Sequence, residues 1–97
     1  MKPAMKRKRF ASVWDAIEDS ATEAASLRLR AEIANELIEE LRRRKVTQAK
    51  AAALLGVTQP RVSDLIRGRL DRFSLDTLVN LAEQIGLRAR ITLKRAA

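Results

Sequence analysis

Val46-Thr47-Gln48-Ala49-Lys50-Ala51-Ala52-Ala53-Leu54-Leu55-Gly56-Val57-Thr58-Gln59-Pro60-Arg61-Val62-Ser63-Asp64-Leu65-Ile66-Arg67-Gly68 is the stretch that decides the fold of this 97-residue chain. Thr47 and Thr58 are suited to cap helices, because a hydroxyl oxygen accepts from a free N–H of the first turn. The spacing predicts helices over Gln48–Leu55 and Gln59–Arg67, closed by Gly56 and Gly68. Gly56 supplies the positive φ that a tight turn between them needs. Pro60 lies in a first turn, where its missing N–H does no harm. Ala52 is small where two helices must cross closely. Residues 46–68 therefore read as a helix-turn-helix unit.

The second helix can be divided into faces at about 100° per residue. Val62, Leu65 and Ile66 form a coherent apolar side. Pro60, Ser63, Asp64 and Arg67 lie opposite, with Gln59 at the N-terminal edge, where such helices meet base edges. Glutamine can contact adenine in a bidentate manner, and Arg61 or Arg67 can reach guanine or phosphate. Asp64 is acidic on this face: either it accepts from a cytosine amino group, or it pairs with Arg61 or Arg67. Arg69 and Arg72 follow in a loop where phosphate contact is expected.

Upstream, residues 1–9 read as a basic flexible tail, and residues 10–97 as a single domain. Phe10 to Trp14 suit a short strand or the lead-in to a helix, with Trp14 and Ile17 expected in the core. Ser20-Ala21-Thr22-Glu23 fits a capping box, and a long helix should follow to about Lys45. Leu27, Ala31, Ala34, Leu37, Ile38 and Leu41 form its apolar stripe, flanked by Ile33. The basic run Arg42 to Lys45 complements the negative pole of the helix dipole. Downstream, Ser74 caps a last helix, Leu75–Ile85, with a stripe of Leu75, Leu78, Val79, Ala82 and Ile85. Then the period changes. Leu87, Ala89, Ile91 and Leu93 alternate with polar or cationic residues, the pattern of an amphipathic strand over 87–94. A lone strand leaves its edge unpaired, so pairing with residues 10–14 or with a second copy is expected, and these four residues are assigned to dimerisation.

Composition narrows the function. The chain has no Cys, no His and no Tyr, so thiolate ligands, the usual general base and a phenolic proton donor are all missing. No glycine-rich phosphate loop appears. The expectation is a non-enzyme without metal or cofactor. No apolar run reaches the ~18 residues of a membrane span, and the basic start lacks the apolar stretch of a secretory signal, so a cytoplasmic location is expected. The net charge is +8, and it is concentrated at the ends: residues 1–10 carry +5, residues 11–26 carry −4, and residues 87–97 carry +4. A polyanionic partner is the natural inference.

Residues 46–86 resemble the lambda-repressor/Cro type of helix-turn-helix domain, the XRE family. Gln48 and Gln59 open two helices eleven residues apart, and Ala52, Gly56, Val62, Leu65 and Gly68 occupy its core and turn positions. The resemblance implies a mainly α, five-helix fold, here with a short C-terminal β-strand, in which Gln48 clamps a phosphate and orients Gln59. It implies base contacts from Gln59, Pro60 and Asp64, with Arg61, Ser63 and Arg67 nearby. Pro60 departs from the polar residue common at its position and suits a thymine methyl instead. With the cap Thr58 and the loop residues Arg69 and Arg72, these form the candidate DNA-binding set.

A narrower resemblance covers most of the chain. Phe10 to Ile17, the Ser20-to-Glu23 cap, the stretch from Gly68 to Asp76 and the strand-like end are similar to the HigA-type antitoxins. That resemblance implies a homodimer on a palindromic operator, repressing its own operon and neutralising a small RelE-fold toxin in a type II toxin–antitoxin pair. A stand-alone regulator without a toxin, or a protein-interaction adaptor, are the alternatives. General RNA binding is disfavoured by three aromatics, since unpaired bases are gripped largely by stacking.

Overall fold

The structure, a computed structural model, describes the backbone of residues 13–95 and the side chains of residues 22–95. Helix α1 (Val13–Arg44) is followed by α2 (Gln48–Leu55), α3 (Gln59–Ile66), a 3₁₀ turn (Leu70–Arg72) and α4 (Leu75–Gln84). Among the described residues there are thus four α-helices rather than five, and no strand. The fold is mainly α, as expected.

The start of α1 departs from the capping-box reading. The helix already runs at Val13, so Ser20 and Glu23 lie inside it and Trp14 belongs to helix, not strand. The segment from 13 to 24 has no Gly or Pro, and its alanines and glutamates propagate a helix readily. Phe10, and the side chains of Trp14 and Ile17, lie outside the described residues. At its other end α1 stops where expected: Lys45 turns left-handed at φ +55°, and its N–H donates to the Arg42 carbonyl at 3.0 Å.

The core gathers Ala34, Leu37 and Leu41 of α1, Ala51, Ala52 and Leu55 of α2, and Val62 and Leu65 of α3. Phe73 and Leu78, Leu81, Ala82 and Ile85 complete it. Leu27, at the upstream end of the predicted stripe, is 48% exposed. Within the stripe Ala34, Leu37 and Leu41 are buried, while Ile38 packs against them only partly buried. Ile66 is a second exception at 43%, because it sits at the edge where α3 ends.

Residues 87–95 take no regular structure. The predicted alternation survives in burial for four residues: Leu87 and Ala89 are half-buried while Arg88 and Arg90 are exposed. Leu87 packs on the core, and its N–H donates to the Ala82 carbonyl at 2.9 Å. Together with Ala89 and Ile91 it borders a shallow groove against Leu29 and Ile33 of α1. Ile91 is half exposed and Leu93 almost wholly so. A strand is defined by its pairing, and this segment meets helices rather than another edge.

Candidate nucleic-acid interface

The α2–α3 unit is built from the local signals in its sequence. The Thr47 hydroxyl accepts from the Lys50 N–H at 3.1 Å, and that of Thr58 from the Arg61 N–H at 3.4 Å. Gly56 adopts φ +73°, and its N–H donates to the Ala52 carbonyl at 2.8 Å. A Cβ there would meet nothing within 4 Å, so backbone conformation alone explains the glycine. The buried Ala51 and Ala52 let α2 lie close to its neighbours.

Val62 and Leu65 fasten α3 to the core at 1% exposure each, which turns the opposite side outward. Gln59, Pro60 and Arg67 are exposed there, and Ser63 and Asp64 are half-buried. Gln48 is exposed at the start of α2. Among the described residues Gln48 and Gln59 share no hydrogen bond, so the orienting contact implied by the resemblance is not made in the free chain.

After α3 the backbone reverses at Gly68, φ +78°, and brings residues 69–73 alongside the helix. This return determines Asp64's partners. They are Arg72, with Nη1 3.3 Å from Oδ2 and 3.5 Å from Oδ1, and Arg69, with Nε 3.9 Å from Oδ1. Arg61 and Arg67, the partners considered from sequence, are not involved. Arg61 instead donates from Nη1 to the Arg72 carbonyl at 2.7 Å, and its guanidinium lies 4.0 Å over the Phe73 ring. Phe73 is itself 2% exposed, so Arg61 rests on a fixed platform.

Two further arginines were not anticipated as part of this assembly. Arg30 of α1 donates from Nη1 to the carbonyls of Leu70, at 2.8 Å, and Phe73, at 3.3 Å. Arg44 donates to the Ile85 carbonyl at 2.8 Å, holding the end of α4. Arg44 also bonds the buried Glu40, as does Arg43. The Arg44 hydrogen bond holds the Glu40 carboxyl below its ordinary range, against the opposing effect of burial. A signal for both was present: positions 30, 34, 37, 41 and 44 share one helix face, and a cation in an apolar stripe needs a buried acceptor.

A helix-turn-helix domain model matches residues 16–94, most of the chain. A solved structure provisionally assigned as an XRE family transcriptional regulator superposes with a TM-score of 0.70 at 30% identity, covering 76% of this chain and 83% of that one. The chain is a helix-turn-helix protein of the XRE family. No curated protein matches it in sequence. Membership makes the XRE-family chain a DNA-binding transcriptional regulator. No described helix is long and apolar enough to cross a membrane.

Proposed function

We propose that this XRE-family protein is a sequence-specific repressor that binds a palindromic double-stranded operator as a homodimer in the cytoplasm, without enzymatic activity. The outward polar face of α3 carries the reading: Gln59 and Pro60 stand exposed at its N-terminal end, with Ser63 and Arg67 along it. In this reading Gln48, exposed at the start of α2, clamps a phosphate beside them. Selection from random duplexes tests it. An enriched palindrome is expected, with affinity falling roughly 10³-fold between about 50 and 200 mM salt as counterions are displaced. Gln59→Ala should cost on the order of 1–3 kcal/mol of base discrimination. Absence of any enriched sequence refutes the repressor role.

The dimer is supported by the end of the chain. Ile91 and Leu93 project apolar surface beyond the part of the segment that packs, and a second copy of that segment can cover it. Truncation after Ala89 keeps Leu87 and Ala89 in place, so it should leave a folded monomer in sedimentation. A tight dimer at micromolar concentration would move the interface elsewhere. The antitoxin role rests on the resemblance to HigA-type chains and on two segments, 10–20 and 87–97, that the α2–α3 unit does not use. Co-expression with an adjacent small gene tests it: rescue of growth and co-purification support a toxin partner, and a harmless neighbour removes it.

A further inference from the structure

An aspartate on a face meant for DNA is an anomaly. It adds phosphate repulsion to a surface otherwise rimmed by cations. In this structure the Asp64 carboxylate, 20% exposed, is engaged by Arg72 and Arg69, which are about half exposed. Arg72 is held twice from α3: Asp64 binds one guanidinium nitrogen, and Arg61 binds its main-chain carbonyl. A guanidinium has five N–H donors, so the rest of Arg72 stays available to a phosphate oxygen.

A fixed donor and a loose donor act differently on DNA. The duplex presents one charge per ~1.7 Å, so a loose arginine finds a phosphate in almost any complex. An arginine held in one position finds one only where the duplex backbone passes within hydrogen-bond distance. Restraint therefore weakens sequence-independent binding more than it weakens a complex locked in register. We propose that Asp64 is a specificity-setting positioning residue, which acts by restraining Arg72 and Arg69 rather than by reading a base. The inference rests on the DNA-binding role of α3, and it adds a reason for an acid there.

The test uses full-length protein with Asp64→Asn, Arg72→Gln and Arg67→Gln, singly and with the last two also combined with Asp64→Asn. Binding is measured on the selected operator and on a scrambled duplex of equal composition, across a salt series. Asp64→Asn should tighten scrambled-duplex binding by roughly three- to tenfold, with a salt slope steeper by about 0.9 for each cation released. Operator binding should gain less, so their ratio falls, and the selected consensus should not change. Arg72→Gln should remove most of the gain in the Asp64→Asn background, because Arg72 lies nearer the carboxylate than Arg69 does, whereas Arg67→Gln should leave it whole. The proposal is overturned by unchanged scrambled-duplex affinity, by a gain that survives Arg72→Gln undiminished, or by a consensus altered at one base pair, the mark of direct reading. If selection enriches nothing, the repressor reading falls, while the scrambled-duplex comparison still decides whether Asp64 restrains these arginines.

Discussion

Replacing Arg61 by Met separates a brace from a DNA contact. Methionine keeps an unbranched stem over the Phe73 ring but removes the cation and the donor to the Arg72 carbonyl. The charged hydrogen bond is worth about 1 kcal/mol once its exposure is discounted. The cation over the ring adds about 0.5–1 kcal/mol at a partly exposed site. Some of this is recovered as packing by the new side chain, which leaves a loss of about 1.5 kcal/mol. At roughly 4–8 °C per kcal/mol for a domain of this size, the melting temperature should fall by about 6–12 °C. A double-mutant cycle with Phe73→Leu should return a coupling of about 0.5–1 kcal/mol, because the two groups touch. Operator affinity should weaken through the displaced loop, with an unchanged salt slope. If instead the melting temperature holds and the slope shrinks by about 0.9 per subunit, Arg61 neutralises a phosphate and the bracing argument is wrong.

Other perturbations follow from the same contacts. Lys45 holds a left-handed conformation that costs an L-residue about 1–2 kcal/mol. Lys45→Gly should raise stability by about 0.5–1 kcal/mol in urea denaturation, after the extra freedom of glycine in the unfolded chain is subtracted, and a loss would contradict the geometry. The depressed Glu40 pKa makes its contribution to stability fully present above the ordinary value of 4.5 and lost as pH falls through the lower folded value. The stability gap between the wild type and Glu40→Gln should therefore narrow on acidification. A gap that stays constant from about pH 6 to about pH 3 would show that ionised Glu40 contributes nothing.

What could be read in the sequence was local. Thr47, Thr58 and Ser74 cap the helices they were assigned to, and Gly56 turns as required, because each acts within three or four residues of itself. Ser20 misled for the same reason. A capping pattern fits there, yet nothing upstream stops the helix, and continuity through residues 13–24 prevails. The C-terminal alternation was also real, but alternation defines a face and not a partner. The arrangement around α3 was not legible in this way, because it joins residues far apart in sequence. Asp64 finds Arg72 only because Gly68 reverses the chain, and Arg30 reaches Phe73 across 43 positions. Arg30 and Arg44 share the α1 face of Ala34, Leu37 and Leu41, but the carbonyls they satisfy belong to distant segments.

These internal engagements change what the net charge of +8 means for binding. The sequence places four arginines on or just after α3, at 61, 67, 69 and 72, and each looks available to a phosphate. In the folded chain Arg61 is spent on a carbonyl and a ring, and Arg69 and Arg72 share the carboxylate of Asp64. Among the described residues Arg67 makes no ion pair, and it is exposed. Counterion release follows the phosphates actually neutralised, not the cations present in the chain. The salt slope should therefore report fewer contacts from this region than its four arginines suggest. Sequence discrimination then depends on how firmly the core holds α3 and its return loop. Val62 and Leu65 grip the helix from beneath, Phe73 anchors the loop, and Arg30 ties that loop to α1. The apolar core and the arginine braces together fix where the exposed Gln59 stands in the fold.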